Sequence, residues 1–254
     1  MIDKWELTIP ELTGDKTRRA YVYLPDWWEE GSEERFPVLY MFDGHNVFFD
    51  DDATYGKSWG LSEYLTYTDT PLIVAAVECN HDPNNGRLAE YSPYPFRYNH
   101  ARVPGLGKIT MDWFTQVFKP EIDQNFPTRP GREDTFIAGS SMGGLMSLYA
   151  LLEYNHIFSR AAALSPSLWV TPGKLTALIR SAHPAPGSVL YMDYGSQELA
   201  NHPHMLRDLG KAAQLLLEKD IYLDFRIVPG GDHSEASWER QVPFFINTLL
   251  YGRE

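Results

Sequence analysis

The chain has 254 residues, 34 acidic against 22 basic side chains, a net charge of −12, and one cysteine. That balance argues against nucleic acid or an anionic membrane surface as a partner, since both are held by clustered Lys and Arg. The lone Cys79 excludes an internal disulfide, and a chain this long buries about 70–75% of its unfolded surface, so its core needs no disulfide or metal staple.

The first residues lack the basic start and apolar run of a signal peptide. No stretch approaches the ~20 apolar residues of a membrane span, so a cytoplasmic location is expected. No repeat, low-complexity tract or linker divides residues 1–254, which are expected to form one domain. Asp50-Asp51-Asp52 reads as a solvated loop, and Cys79 as a buried, inert thiol.

In chain order, short β-rich runs predict strands at Trp5–Ile9, Ala20–Leu24, Val38–Phe42, Leu72–Val77, Thr135–Ala138, Ala161–Leu164, Val189–Asp193 and Tyr222–Val228. Helical spacing predicts helices at Leu61–Tyr67, Met111–Asn125, Met142–Tyr154, Lys174–Ser181, His204–Lys219 and Ser237–Leu250. The first two strands follow each other directly and can pair as a hairpin. From Val38 onward strands alternate with helices or long loops, which predicts an α/β fold with a mostly parallel sheet of about eight strands and helices on both faces. Residues 82–107 are rich in Pro and Gly and read as a long irregular connection at the carboxyl edge of that sheet, where ligands bind. Arg87 and Glu90 are expected to pair and brace it.

Gly139-Ser140-Ser141-Met142-Gly143 is a G-x-S-x-G pattern, directly after a predicted strand and directly before a predicted helix. That is the context of a nucleophile elbow, a turn so tight that the residues two before and two after the serine must be small. The frame selects Ser141, because Ser140 would require glycine at positions occupied by Ala138 and Met142. The amide of Met142, at the helix N-terminus, faces a developing oxyanion.

A serine hydroxyl needs a base to take its proton. His233 follows the last predicted strand in Pro229-Gly230-Gly231-Asp232-His233, where the histidine of a Ser, acid, His chain order belongs. For the acid, Glu198 lies past Gly195 on a loop that can reach the histidine, and Asp193, at the strand end, is the alternative. Asp232 adjoins His233 too closely to fold back onto it. The second oxyanion donor is expected after Val38–Phe42, in Asp43-Gly44-His45-Asn46-Val47, with the amide of His45 as candidate. The His45 side chain is expected to line the pocket or make a structural hydrogen bond.

Asn46, Trp59 and Trp169 are candidate substrate contacts near the carboxyl edge. The two indoles suit sugar rings or phenolic acyl groups, or else pack the core. No metal site is expected: His202 and His204 flank Pro203, a poor geometry for chelation, and no third ligand stands at useful spacing.

These residues resemble the esterase D/enterochelin-esterase-like group of α/β hydrolases, which includes feruloyl and acetyl-xylan esterases and the antigen 85 mycolyltransferases. The likeness covers nearly the whole chain. It rests on Asp43-Gly44, Glu90-Tyr91-Ser92-Pro93, Gly139-Ser140-Ser141-Met142-Gly143-Gly144, Ser165-Pro166-Ser167-Leu168-Trp169, Gly195-Ser196-Gln197-Glu198 and His233-Ser234-Glu235-Ala236-Ser237-Trp238. In that group the acid stands third after the glycine, commonly as Asp; here the position holds Glu198. The resemblance again points to the amide of His45, and implies an α/β-hydrolase fold, no cofactor and ester hydrolysis. The expected substrate is a small-molecule or glycan ester of acetyl or feruloyl type. A siderophore trilactone, acyl transfer, and a non-catalytic binding scaffold are the alternatives.

Overall fold

The structure, a computed structural model, describes residues 1–202 and 204–252. Pro203 and the last two residues of the expected 1–254 domain lie outside the described residues. The strands are β1 (Ile2–Thr8), β2 (Thr17–Tyr23), β3 (Val38–Met41), β4 (Ile73–Val77), β5 (Phe96–Tyr98), β6 (Ala101–Val103), β7 (Thr135–Ser140), β8 (Arg160–Leu164), β9 (Ser188–Gly195) and β10 (Ile221–Val228). All but β5 and β6 form one sheet in the order β1-β2-β4-β3-β7-β8-β9-β10. These are the eight predicted strands, with ends shifted by a few residues. From β4 to β10 every pairing is parallel. The expected hairpin sets Trp5 opposite Ala20, and β2 joins β4 antiparallel.

Both faces of the sheet are covered, and β3 shows why its sequence reads as a continuous apolar run. Val38 and Tyr40 point into one buried cluster, Leu39 and Met41 into the other. The helices are α1 (Pro10–Thr13), α2 (Leu61–Tyr67), α3 (Gly86–Glu90), α4 (Gly107–Trp113), α5 (Lys119–Asn125), α6 (Met142–Glu153), α7 (Pro172–Ser181), α8 (Ser196–Asn201), α9 (His204–Leu217), α10 (Glu235–Glu239) and α11 (Val242–Tyr251). Helices α4 to α7 and α9 supply the first cluster, with Met111, Ile122, Leu145, Leu175 and Leu209. Helices α2 and α11 supply the second, with Leu61, Leu65, Phe245 and Leu249. Among the described residues no helix is long and apolar enough to cross a membrane.

Two predicted helices are interrupted, each at a proline. Pro120 has no amide to donate, and the helix expected over Met111–Asn125 widens into a π-turn at Phe114–Phe118 between α4 and α5. Pro243 likewise ends the helix expected over Ser237–Leu250 and opens a new one, giving α10 and α11.

The connection over residues 82–107 is more ordered than expected. It contains α3 and the β5–β6 hairpin, and it closes on itself through amides donated by Leu106 to Ala89 O (2.9 Å) and Gly107 to Ser92 O (2.8 Å). The expected Arg87–Glu90 pair does not form. Glu90 accepts instead from the buried Arg18 of β2 at 2.8 Å, and Arg87 turns toward the carboxyl edge of the sheet.

Candidate active site

Ser141 sits between β7 and α6 with φ 58°, a left-handed conformation that L-residues avoid. The neighbouring strand end holds it there: its amide donates to Leu164 O at 2.9 Å, and its carbonyl accepts from the Ser167 amide at 2.9 Å. The turn is tight enough that a Cβ on Gly139 would lie 2.8 Å from the carbonyl carbon of Gly143. This is the physical content of the small-x-Ser-x-small pattern.

The structure brings His233 and Glu198 to this serine. Ser141 Oγ lies 2.9 Å from His233 Nε2, and His233 Nδ1 lies 2.6 Å from Glu198 Oε2. Because a carboxylate only accepts, the imidazole proton belongs on Nδ1, which leaves Nε2 to accept from the serine hydroxyl. Glu198 is buried on α8, a short helix that the sequence analysis did not foresee. Its other oxygen, Oε1, accepts from the Gly195 amide at 3.0 Å and from the Ser165 hydroxyl at 2.6 Å.

Ser165 was missed as a site residue. It follows β8 with φ 43°. Its hydroxyl donates to Glu198 while accepting from Trp238 Nε1 at 3.1 Å. The Trp238 ring in turn meets the His233 ring edge to face, 5.0 Å between centroids. One hydroxyl thus links the carboxylate to the indole that backs the imidazole.

The alternative acid, Asp193, occupies a different place. It is 1% exposed and accepts from the Ser165 amide (3.1 Å) and the Tyr191 hydroxyl (2.8 Å). Burial pushes its pKa up to about 7 against those two donors. No hydrogen bond joins it to His233 among the described residues. Asp232 is exposed and accepts from the Ser234 hydroxyl at 2.6 Å.

The turn after β3 lies at the same sheet edge, on the wall of a cavity that also holds Ser141 and His233. Asp43 adopts φ 56° and receives both Nε and Nη2 of Arg87 at 2.7 Å. Burial alone would raise the Asp43 pKa, and the Arg87 guanidinium overcomes it and holds the carboxyl below its usual range. Gly44 is packed so closely on β4 that a Cβ there would lie 2.8 Å from Val77 N. The His45 amide follows in a short helical turn, and the Met142 amide opens α6. Amides at such positions lack an intrahelical acceptor and are available to a ligand. The His45 imidazole is buried, with Nε2 3.0 Å from Thr54 Oγ1. Asn46 accepts from the Thr54 amide at 2.9 Å and donates to Glu235 Oε1 at 3.3 Å.

Two cavities meet at Ser141 and His233. One, about 470 Å³, is lined by His45, Asn46, Cys79, His81, Arg87 and Glu235 among others. The other, about 700 Å³, has a more aromatic wall that includes Tyr98, Trp169, Tyr194 and Met205. Trp169 is 41% exposed and packs on Phe96 and Tyr98 of the hairpin. Trp59 is a correction. It is 3% exposed, lines neither cavity, and packs on Trp238 and Phe245. It therefore supports the indole behind His233 and offers no face to a substrate. No metal-ligating set was expected from the spacing of the histidines, yet this first cavity gathers His45, Cys79 and His81.

Parallel strands flanking a strained serine, with an imidazole from a later loop and a buried carboxylate from the short helix after β9 at the same sheet edge, define an α/β hydrolase. Residues 13–249 match the profile of the Esterase family ("Putative esterase"), and the chain belongs to that family of ester hydrolases. It is 29% identical over 248 residues to the Bacillus subtilis strain 168 protein YbbA, covering 93% of each chain. It is 24% identical over 251 residues to an endo-1,4-beta-xylanase/feruloyl esterase of Xylanibacter ruminicola, covering 94% of this chain and 30% of that longer protein. Among solved structures, an IroE-like serine hydrolase from Shewanella oneidensis superposes with a TM-score of 0.76 at 19% identity. That match covers 97% of this chain and 79% of the other.

Proposed function

We propose that the chain hydrolyses carboxylic esters with Ser141 as nucleophile, His233 as general base and acid, and Glu198 as the carboxylate that orients His233. The observation that carries this is the unbroken relay from Ser141 Oγ through His233 to Glu198, at 2.9 and 2.6 Å. His233 Nε2 takes the serine proton as Oγ attacks the ester carbonyl. The oxyanion rests on the amides of Met142 and His45. His233 then protonates the departing alcohol. Water, deprotonated by the same nitrogen, cleaves the acyl-enzyme and restores Ser141.

The two cavities suggest how an ester is divided. A flat or aromatic acyl group suits the wall of Tyr98, Trp169 and Tyr194, and a polar alcohol suits the side with Asn46, Arg87 and Glu235. That supports a phenolic or small acyl group on a sugar-like alcohol, in keeping with the feruloyl esterase part of the Xylanibacter relative.

The test is hydrolysis of p-nitrophenyl acetate, methyl ferulate, acetylated xylo-oligosaccharides and a catecholate trilactone by wild type and Ser141→Ala. Wild type is expected to turn over methyl ferulate, and Ser141→Ala to lose at least about a thousandfold in kcat while keeping its fold. Activity confined to the trilactone would move the substrate to siderophores. Equal activity of the two proteins would remove Ser141 from its role.

A further inference from the structure

We propose that His45, Cys79 and His81 form a binding site for one zinc-type divalent ion, on the wall of the polar cavity that also contains Ser141. The three side chains come together because β3 and β4 are neighbouring parallel strands. The turn after β3 carries His45, and the chain leaving β4 carries Cys79 and His81. Each offers a ligand atom, and these atoms lie within 4.8 Å of one another. The two imidazole rings are 4.8 Å apart between centroids.

The donor set selects the ion. Two imidazoles and a thiolate suit zinc and its first-row neighbours, whereas magnesium and calcium require oxygen. His45 has the arrangement of a ligating histidine. Its Nε2 is engaged by Thr54 Oγ1 at 3.0 Å, the outer hydrogen bond that fixes a metal-bound ring. Its Nδ1 is buried, without a hydrogen-bond partner among the described residues, on a residue 4% exposed that lines the cavity. An orphaned ring nitrogen costs stability unless a ligand occupies it.

Tetrahedral ligand atoms sit about 3.3–3.8 Å apart, so the set must close slightly, and His81, exposed at its surface, is the ring with room to move. Binding exchanges the Cys79 proton for the metal: a bond forms between Sγ and the ion, and one proton leaves to solvent. The nearby Asp43 carboxylate is ion-paired with Arg87 at 2.7 Å, and the metal's own charge must offset what burial and that carboxylate cost the thiolate. Three protein ligands leave a fourth position for water or an oxygen of the substrate.

The experiment uses the full chain, stripped with a chelator. Co²⁺ is added and followed by absorption, Zn²⁺ is measured by competition with a chromophoric chelator, and proton release is read in weak buffer. Wild type is expected to bind one ion, release one proton, and give a thiolate-to-cobalt charge-transfer band. That band should vanish in Cys79→Ser, and His81→Ala should weaken Zn²⁺ binding at least about tenfold. If Cys79→Ser does not fold, His81→Ala, changed at an exposed residue, decides together with the proton count. Wild-type binding no tighter than about 10 µM, or binding unaltered in the variants, overturns the site.

Discussion

Glu198 does more at the residue scale than its distance to His233 conveys. Oε1 is saturated by Gly195 and Ser165, so Oε2 alone meets the imidazole, and the carboxylate cannot rotate without breaking two donors. Glu198→Gln puts an NH2 against either those donors or Nδ1–H, and is expected to lower kcat by about two to four orders of magnitude. Asp193→Asn keeps an oxygen for the Ser165 amide and is expected to change kcat by only a few-fold. Steady-state assays of both variants on p-nitrophenyl acetate decide, and a worse defect in Asp193→Asn would transfer the acid role. Asp193 also makes a prediction about stability. Its folded pKa, about 7, is above that of an unfolded aspartate. Its contribution is therefore full below about pH 4 and lost as pH rises through 7. Asp193→Asn should gain relative to wild type between pH 5 and pH 8 in urea unfolding. Parallel pH dependences in the two proteins would show that the carboxyl is not perturbed.

At the level of elements, the site is built on three residues with positive φ at consecutive strand ends: Asp43 after β3, Ser141 after β7 and Ser165 after β8. Such strain persists only where the surroundings enforce it. The Gly44 turn shows the enforcement, since its Cα side abuts the backbone of Val77 and Ala76. Gly44→Ala must push the turn off β4 and move the His45 amide. It is expected to cut kcat on p-nitrophenyl acetate by ten- to a hundredfold with a smaller effect on KM, and an unchanged kcat would argue against His45 as an oxyanion donor. The strands were legible because buried parallel strands read as apolar runs. The elbow was legible because its tightness constrains residue type. Helix α8 was not: Ser196–Asn201 is short and has no apolar periodicity, and it forms where Glu198 reaches back to the Gly195 amide. The interruptions at Pro120 and Pro243 did carry a sequence signal, outweighed by the apolar spacing around them.

Across the whole molecule, the long connection over residues 82–107 is tied to the sheet by ion pairs, among them two that face different ways. Arg87–Asp43 reaches the site, and Arg18–Glu90 is buried, with side chains 3% and 2% exposed. Removing one partner of a buried pair leaves the other desolvated. Arg18→Met is therefore expected to cost about 3 kcal/mol in urea unfolding near neutral pH, and less in acid, where Glu90, its pKa already raised by burial, takes a proton. A loss within error would make the pair dispensable. By itself the sequence determined the alternation of strands and helices, the elbow at Ser141, and the chain order that points to Glu198 and His233. These depend on local periodicity, turn sterics and position after a strand, all of which are written along the chain. Only the tertiary structure decided that Asp193 bonds Tyr191 and the Ser165 amide, that Ser165 links Glu198 to Trp238, that Trp59 belongs to the core, and that His45, Cys79 and His81 converge. Each of those depends on which strand ends become neighbours in the sheet, and that is set by packing between residues far apart in the chain.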